Sequence, residues 1–85
     1  MLVSAEIREK LDMRFSPQEL EVIDESEKHI GHAGYQEGGQ SHFHVRMRAK
    51  ALSGMSRLAR HRAVHAALGP DLMGRIHALA LDLSD

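Results

Sequence analysis

His42-Phe43-His44-Val45-Arg46-Met47-Arg48-Ala49 alternates without a break. Phe43, Val45, Met47 and Ala49 fall on one side and His42, His44, Arg46 and Arg48 on the other. That is the period of a strand with one buried face and one basic, wet face. Upstream, Leu20-Glu21-Val22-Ile23 is β-branched toward its end and reads as a second strand. Ser16-Pro17-Gln18-Glu19 just before it has capping-box spacing and predicts a single turn leading into that strand. From Ser26 to Ser41 the apolar pattern vanishes, and Gly31, Gly34, Gly38 and Gly39 supply positions where positive φ costs little, so this is a long exposed loop. Two strands joined by a loop pair most simply as an antiparallel hairpin.

Outward from the hairpin the period changes. Val3, Ile7 and Leu11 recur at helical spacing, with Ser4 as a candidate cap, and predict a first amphipathic helix. After Ser53-Gly54, Ser56 caps a second helix running through Leu68, where Gly69-Pro70 is a stop. Leu58, His61, Val64, His65 and Leu68 share its apolar stripe, and Arg57, Arg60 and Arg62 lie at or beyond the stripe's edges. Pro70 can start a short further turn with Asp71 and Leu72. Ile76 to Leu83 then reads as a last strand with Leu79, Leu81 and Leu83 on one face and His77 at its entrance on that same face. The order is helix, strand, strand, helix, short helix, strand. The third strand, arriving after helices, can lie parallel to a neighbour. The expected architecture is α+β, αββααβ: a three-stranded mixed sheet with helices on one face, burying Phe43, Val45 and Met47 against Ile7, Leu11, Val64 and Leu68.

The 85 residues suit one small domain over 1–85, since a single core serves roughly 100 to 200 residues. Apolar residues at 42% and charged residues at 27% describe a chain that folds, neither disordered nor membrane-embedded. Eleven Lys and Arg against 12 Asp and Glu leave a net charge of -1, so no global field holds nucleic acid or an acidic membrane. With no cysteine there is neither a disulfide nor a thiolate ligand, and a reducing compartment is the simplest expectation. The N-terminus has no basic region followed by an apolar stretch, and the chain is expected to be cytoplasmic with no membrane contact.

Seven histidines stand out in so short a chain. His29-Ile30-Gly31-His32 lies in the loop and His77 at the start of the last strand, and a hairpin loop and a neighbouring strand end can meet in space. Imidazole is the commonest metal ligand. On spacing alone, solvated loop histidines and one half-buried histidine are the commoner reading of the same residues. A closed structural zinc site wants about four ligands, and no cysteine completes the set, so an incomplete set points to a shared site. A second constellation is Arg57, Arg60 and Arg62 on the helix with Arg46 and Arg48 on the strand. Arginine grips phosphate bidentately, but two Phe, one Tyr and no Trp offer little for base stacking, and an ion-paired face fits the same residues. No nucleophile elbow, phosphate-cradling glycine loop or acid–base pair is present, so no catalytic set is found.

Glu21-Val22-Ile23-Asp24-Glu25-Ser26, His29, Ser41-His42-Phe43-His44-Val45, Ser53-Gly54-Met55-Ser56, Arg60-His61-Arg62-Ala63-Val64 and Ile76-His77-Ala78-Leu79, in that order, closely resemble the BolA family. The resemblance implies the αββααβ fold of the second class of KH domains. RNA-binding KH domains carry a Gly-x-x-Gly loop between their central helices. Here that junction reads Leu68-Gly69-Pro70-Asp71, and Gly31-His32-Ala33-Gly34 lies in another connection. Leu52 stands where the family often has phenylalanine, and Met47 and Ala49 replace larger branched residues, which loosens packing without touching the histidines.

The resemblance also implies a partner, a monothiol glutaredoxin, with which BolA-like proteins form heterodimers around a bridged 2Fe-2S cluster. It implies His77 as one ligand and His29 as the other, with His32 as the rival loop ligand. Glutaredoxin and glutathione would supply thiolates to the other iron, and the chain alone would hold no cluster tightly. Imidazole in place of thiolate reduces the cluster's negative charge and raises its potential, and imidazole must be deprotonated to bind, so acid weakens the complex. The implied function is a non-enzymatic adaptor in iron–sulfur assembly, trafficking or iron homeostasis. The alternative, also attributed to BolA-like proteins, is a DNA-binding regulator using Arg57, Arg60 and Arg62 with Arg46 and Arg48. A homodimer of the free chain stays open as well.

Overall fold

The computed structural model describes residues 2–25 and 41–85. Helix α1 spans Val3–Phe15 and buries Ile7, Leu11 and Phe15, one residue per turn along a single line. Its N-cap is Leu2, without a side-chain cap, so the helix begins before Ser4 rather than after it. Ser16 ends it in the left-handed region (φ 45°, ψ 57°), its N–H donating to Asp12 O. Ser16 is thus the C-cap of α1, and the expected fresh turn at Ser16–Glu19 does not form. Gln18 goes straight into the sheet, its N–H donating to Arg48 O at 2.9 Å.

Strands β1 (Glu19–Asp24) and β2 (His42–Arg48) pair antiparallel, from Glu19 opposite Arg48 to Asp24 opposite Phe43. Strand β3 (Ala78–Ser84) lies parallel to β2, from His42 beside Ala78 to Arg48 beside Ser84. The sheet order is β1-β2-β3, the expected mixed sheet, with the alternating strand at its centre. A 3-10 turn at Lys50–Leu52 leads from β2 toward helix α2 (Arg57–Arg75). Ser56 caps α2 as expected, its Oγ accepting from Ala59 N at 3.0 Å. The helix is broken at Gly69 (φ 85°, ψ 156°), so residues 57–68 and 70–75 form the two helical pieces that the Gly69-Pro70 stop predicts.

Phe43, Val45 and Met47 are buried against Ile7, Leu11, Val64 and Leu68, with Ala49, Leu52, Leu72 and Phe15 completing the core. The stripe on α2 is narrower than expected. Val64, Leu68 and Leu72 are buried, whereas Leu58 is 59% exposed and His65 is exposed. Both sit at the edges of the buried line, and His61 is half-buried. Among the described residues no helix is long and apolar enough to cross a membrane.

Candidate functional site

Two histidines, His42 and His77, meet at the end of the sheet where β2 and β3 begin. Because the two strands run parallel in register, the residue before Ala78 comes beside the residues that open β2. His77 N donates to Ser41 O at 2.7 Å and Ala78 N to the same carbonyl at 3.2 Å. On the other side of β2, Glu25 N donates to His42 O at 2.7 Å. Glu25 and Ser41 flank residues 26–40, the segment carrying His29 and His32, so one end of that segment is bonded to the backbone of His42 and the other to that of His77. His29 and His32 themselves fall outside the described residues.

His77 is exposed and precedes β3 rather than continuing its half-buried row of Leu79, Leu81 and Leu83. Its ring turns onto His42, a residue of the open face: the ring centroids are 5.5 Å apart and the planes 6° from parallel. Ser41 is fully buried, and its Oγ shares a hydrogen bond with His42 Nδ1 at 2.9 Å. On its helical side His77 borders a shallow hollow with His65, Met73 and Leu79. The sequence places His42 on the wet face of its strand and within the Ser41-His42-Phe43-His44-Val45 motif, with nothing to link it to His77. Its proximity to His77 follows from the β2–β3 register, which the alternation of either strand leaves undetermined. Among the described residues no three His, Cys, Asp or Glu side chains converge as a metal site.

The arginines are dispersed. Arg46 lies between Glu21 and Asp82, and Arg48 opposite Glu19, and paired residues on adjacent strands share a face. The outer face of β2 is therefore flanked by carboxylates in the assembled sheet and is mixed in charge rather than basic. Arg60 folds back toward β3: its Nη1 donates to Leu83 O at 3.5 Å and its Nη2 to Asp85 Oδ1 at 3.3 Å. The Asp85 carboxyl is held below the usual carboxylate range, first by its own backbone N–H, then by the Ser53 hydroxyl and the Arg60 charge. Arg57 and Arg62 remain exposed on α2, and Arg57 rims a hollow with Arg60, His61 and Asp82.

Residues 11–84 match the family profile described as BolA-like protein. Human BolA-like protein 1 is 46% identical over 79 residues, covering 93% of this chain and 55% of that protein. The DNA-binding transcriptional regulator BolA of Escherichia coli is 40% identical over 81 residues, covering 95% of this chain and 73% of the relative. The chain thus spans about half the length of the human relative. The BolA domain of SufE1 from Arabidopsis thaliana superposes with a TM-score of 0.81 at 37% identity, covering 95% of this chain and 88% of that one. With its α+β mixed sheet and this match over nearly its whole length, the chain belongs to the BolA-like family.

Proposed function

We propose that the chain is a non-enzymatic adaptor that shares a 2Fe-2S cluster with a monothiol glutaredoxin, in iron–sulfur assembly, trafficking or iron homeostasis. One observation carries the reading: His77, an exposed imidazole, has its backbone anchored on Ser41, the residue that closes the segment bearing His29 and His32. The donor chemistry fits, since imidazole is a competent ligand for iron and the exposed ring is accessible to a second protein. His77 and His29, with His32 as the rival, would hold one iron, while glutaredoxin and glutathione thiolates would hold the other. When bound, such a cluster supplies a one-electron couple, raised in potential by imidazole ligation.

The chain's own part is to present the His77 imidazole at the sheet end. The Ser41 carbonyl fixes the start of β3, so the His77 ring projects from a rigid point rather than from a free loop. A reducing compartment suits a partner that binds through thiolates, with the cytoplasm as the corresponding location. A second reading rests on the exposed Arg57 and Arg62 together with the E. coli relative, which is named a DNA-binding regulator.

The test is reconstitution of the purified chain with a monothiol glutaredoxin, glutathione, iron and sulfide, followed by visible absorption and circular dichroism. The expected result is a one-to-one complex with a spectrum distinct from that of glutaredoxin alone. His77→Ala should abolish it without lowering the melting temperature, because the side chain lies outside the core. Either His29→Ala or His32→Ala should abolish it too, and that outcome names the loop ligand. A spectrum identical to that of glutaredoxin alone would sink the cluster reading.

A further inference from the structure

Ser41 grips both histidines at the sheet end. Its hydroxyl meets the ring of His42 at Nδ1, and its carbonyl takes the backbone N–H of His77. Being fully buried, Ser41 is itself a fixed point. His42 is the first residue of β2, half-buried, with its carbonyl engaged by Glu25 N. Its ring is therefore held at both the backbone and the edge, and the near-parallel His77 ring rests against its face.

An exposed histidine at a strand end ordinarily samples several χ1 wells and a broad χ2 distribution. A flat ring fixed alongside removes most of those orientations, and offset stacking of π systems favours those that remain. Ordering accomplished in the free protein need not be repeated when a ligand binds.

We propose that His42 is a positioning residue: stacked on His77 and steadied by Ser41, it sets the direction in which the His77 nitrogen is offered to iron. This rests on the reading of His77 as a cluster ligand. It adds a residue that holds no metal, but whose loss is felt at the metal.

The test uses His42→Ala, His42→Phe, Ser41→Ala and His77→Ala in the full chain, free and in the glutaredoxin–glutathione complex. In the free chain, NMR shifts of the His77 ring protons report stacking, and the melting temperature reports folding. In the complex, nitrogen couplings of the reduced cluster in pulsed EPR and the rate of cluster loss to a chelator are recorded. His42→Ala should keep the melting temperature, move the His77 ring shifts toward free-histidine values and speed cluster loss on the order of tenfold, the range for groups that orient a metal ligand. His42→Phe, which keeps a flat ring, should recover most of the wild-type rate. Should His42→Ala fail to fold, Ser41→Ala and His42→Phe carry the comparison, with Ser41→Ala expected to broaden the nitrogen couplings.

Wild-type ring shifts and release rate in His42→Ala would overturn the positioning role. So would a phenylalanine variant as fast as the alanine one, or total cluster loss in both, which would make His42 a ligand itself. A His77→Ala chain that still forms the wild-type complex refutes the ligand reading beneath, a result distinct from a silent His42→Ala.

Discussion

Glu6 and Arg75 come from opposite ends of the chain, yet Arg75 Nη2 donates to Glu6 Oε2 at 2.6 Å, tying the first turn of α1 to the last turn of α2. That bond holds the Glu6 carboxyl below the usual glutamate range, opposed by desolvation and reinforced by the charges of Arg75 and Lys10. The same bond raises Arg75. A carboxylate depressed in the folded state adds stability above its unfolded pKa, and that stability disappears as pH falls through the folded value. Glu6→Gln should therefore lower the urea midpoint slightly at neutral pH, and the gap to wild type should close below about pH 4.3. The effect is small because both side chains are partly solvated. A gap unchanged from pH 7 to pH 3 would show that the glutamine costs packing rather than charge. In the sequence these were two surface charges among many. Only the packing of α1 on α2 makes them a pair.

At the scale of the element, the break in α2 is the feature best written in the residues. Gly69 has φ 85° and ψ 156°, a region essentially restricted to glycine, and the following Pro70 independently demands extended ψ from its predecessor. The carbonyl left over at Leu68 is taken by Lys10 Nζ at 3.1 Å. A Cβ at Gly69 would meet nothing within 4 Å, so Gly69→Ala tests the backbone alone. It should cost about 1–3 kcal/mol, read as a lower melting temperature with unchanged helix content by far-UV circular dichroism. An unaltered melting temperature would mean that the joint relaxes to another conformation. Glycine and proline announce such a joint because their constraints are local. Ser16 carries no comparable signal: its left-handed φ is imposed by the turn from α1 into β1, and its sequence context resembles a helix start. Leu58 and His65 were misplaced for a related reason, since periodicity marks a broad stripe and only packing decides how much of it is covered.

At the scale of the molecule, the period-2 pattern of residues 42–49 and the helical spacing on either side were enough for the sheet, its mixed pairing and its core. The site was less legible. The motif makes His77 a candidate, but its stacking on His42 depends on the β2–β3 register, which is a tertiary fact. Charge behaved the same way. Read along β2 alone, Arg46 and Arg48 make a basic face, but the neighbouring strands bring Glu19, Glu21 and Asp82 onto it, and Asp85 draws in Arg60. With a net charge of -1, the cations left to meet phosphate on α2 are chiefly Arg57 and Arg62. Each neutralised phosphate contributes about 0.9 to the slope of log affinity against log salt, so duplex DNA should bind weakly with a slope no steeper than about -2. Arg57→Ala or Arg62→Ala should reduce that slope by about one, whereas Arg46→Ala and Arg48→Ala should leave it unchanged. Fluorescence anisotropy of a labelled duplex across a salt series measures all five chains. A slope near -6, or its loss with Arg46→Ala, would mean that the sheet face itself engages DNA despite its carboxylates, and would bring the regulator reading ahead of the adaptor.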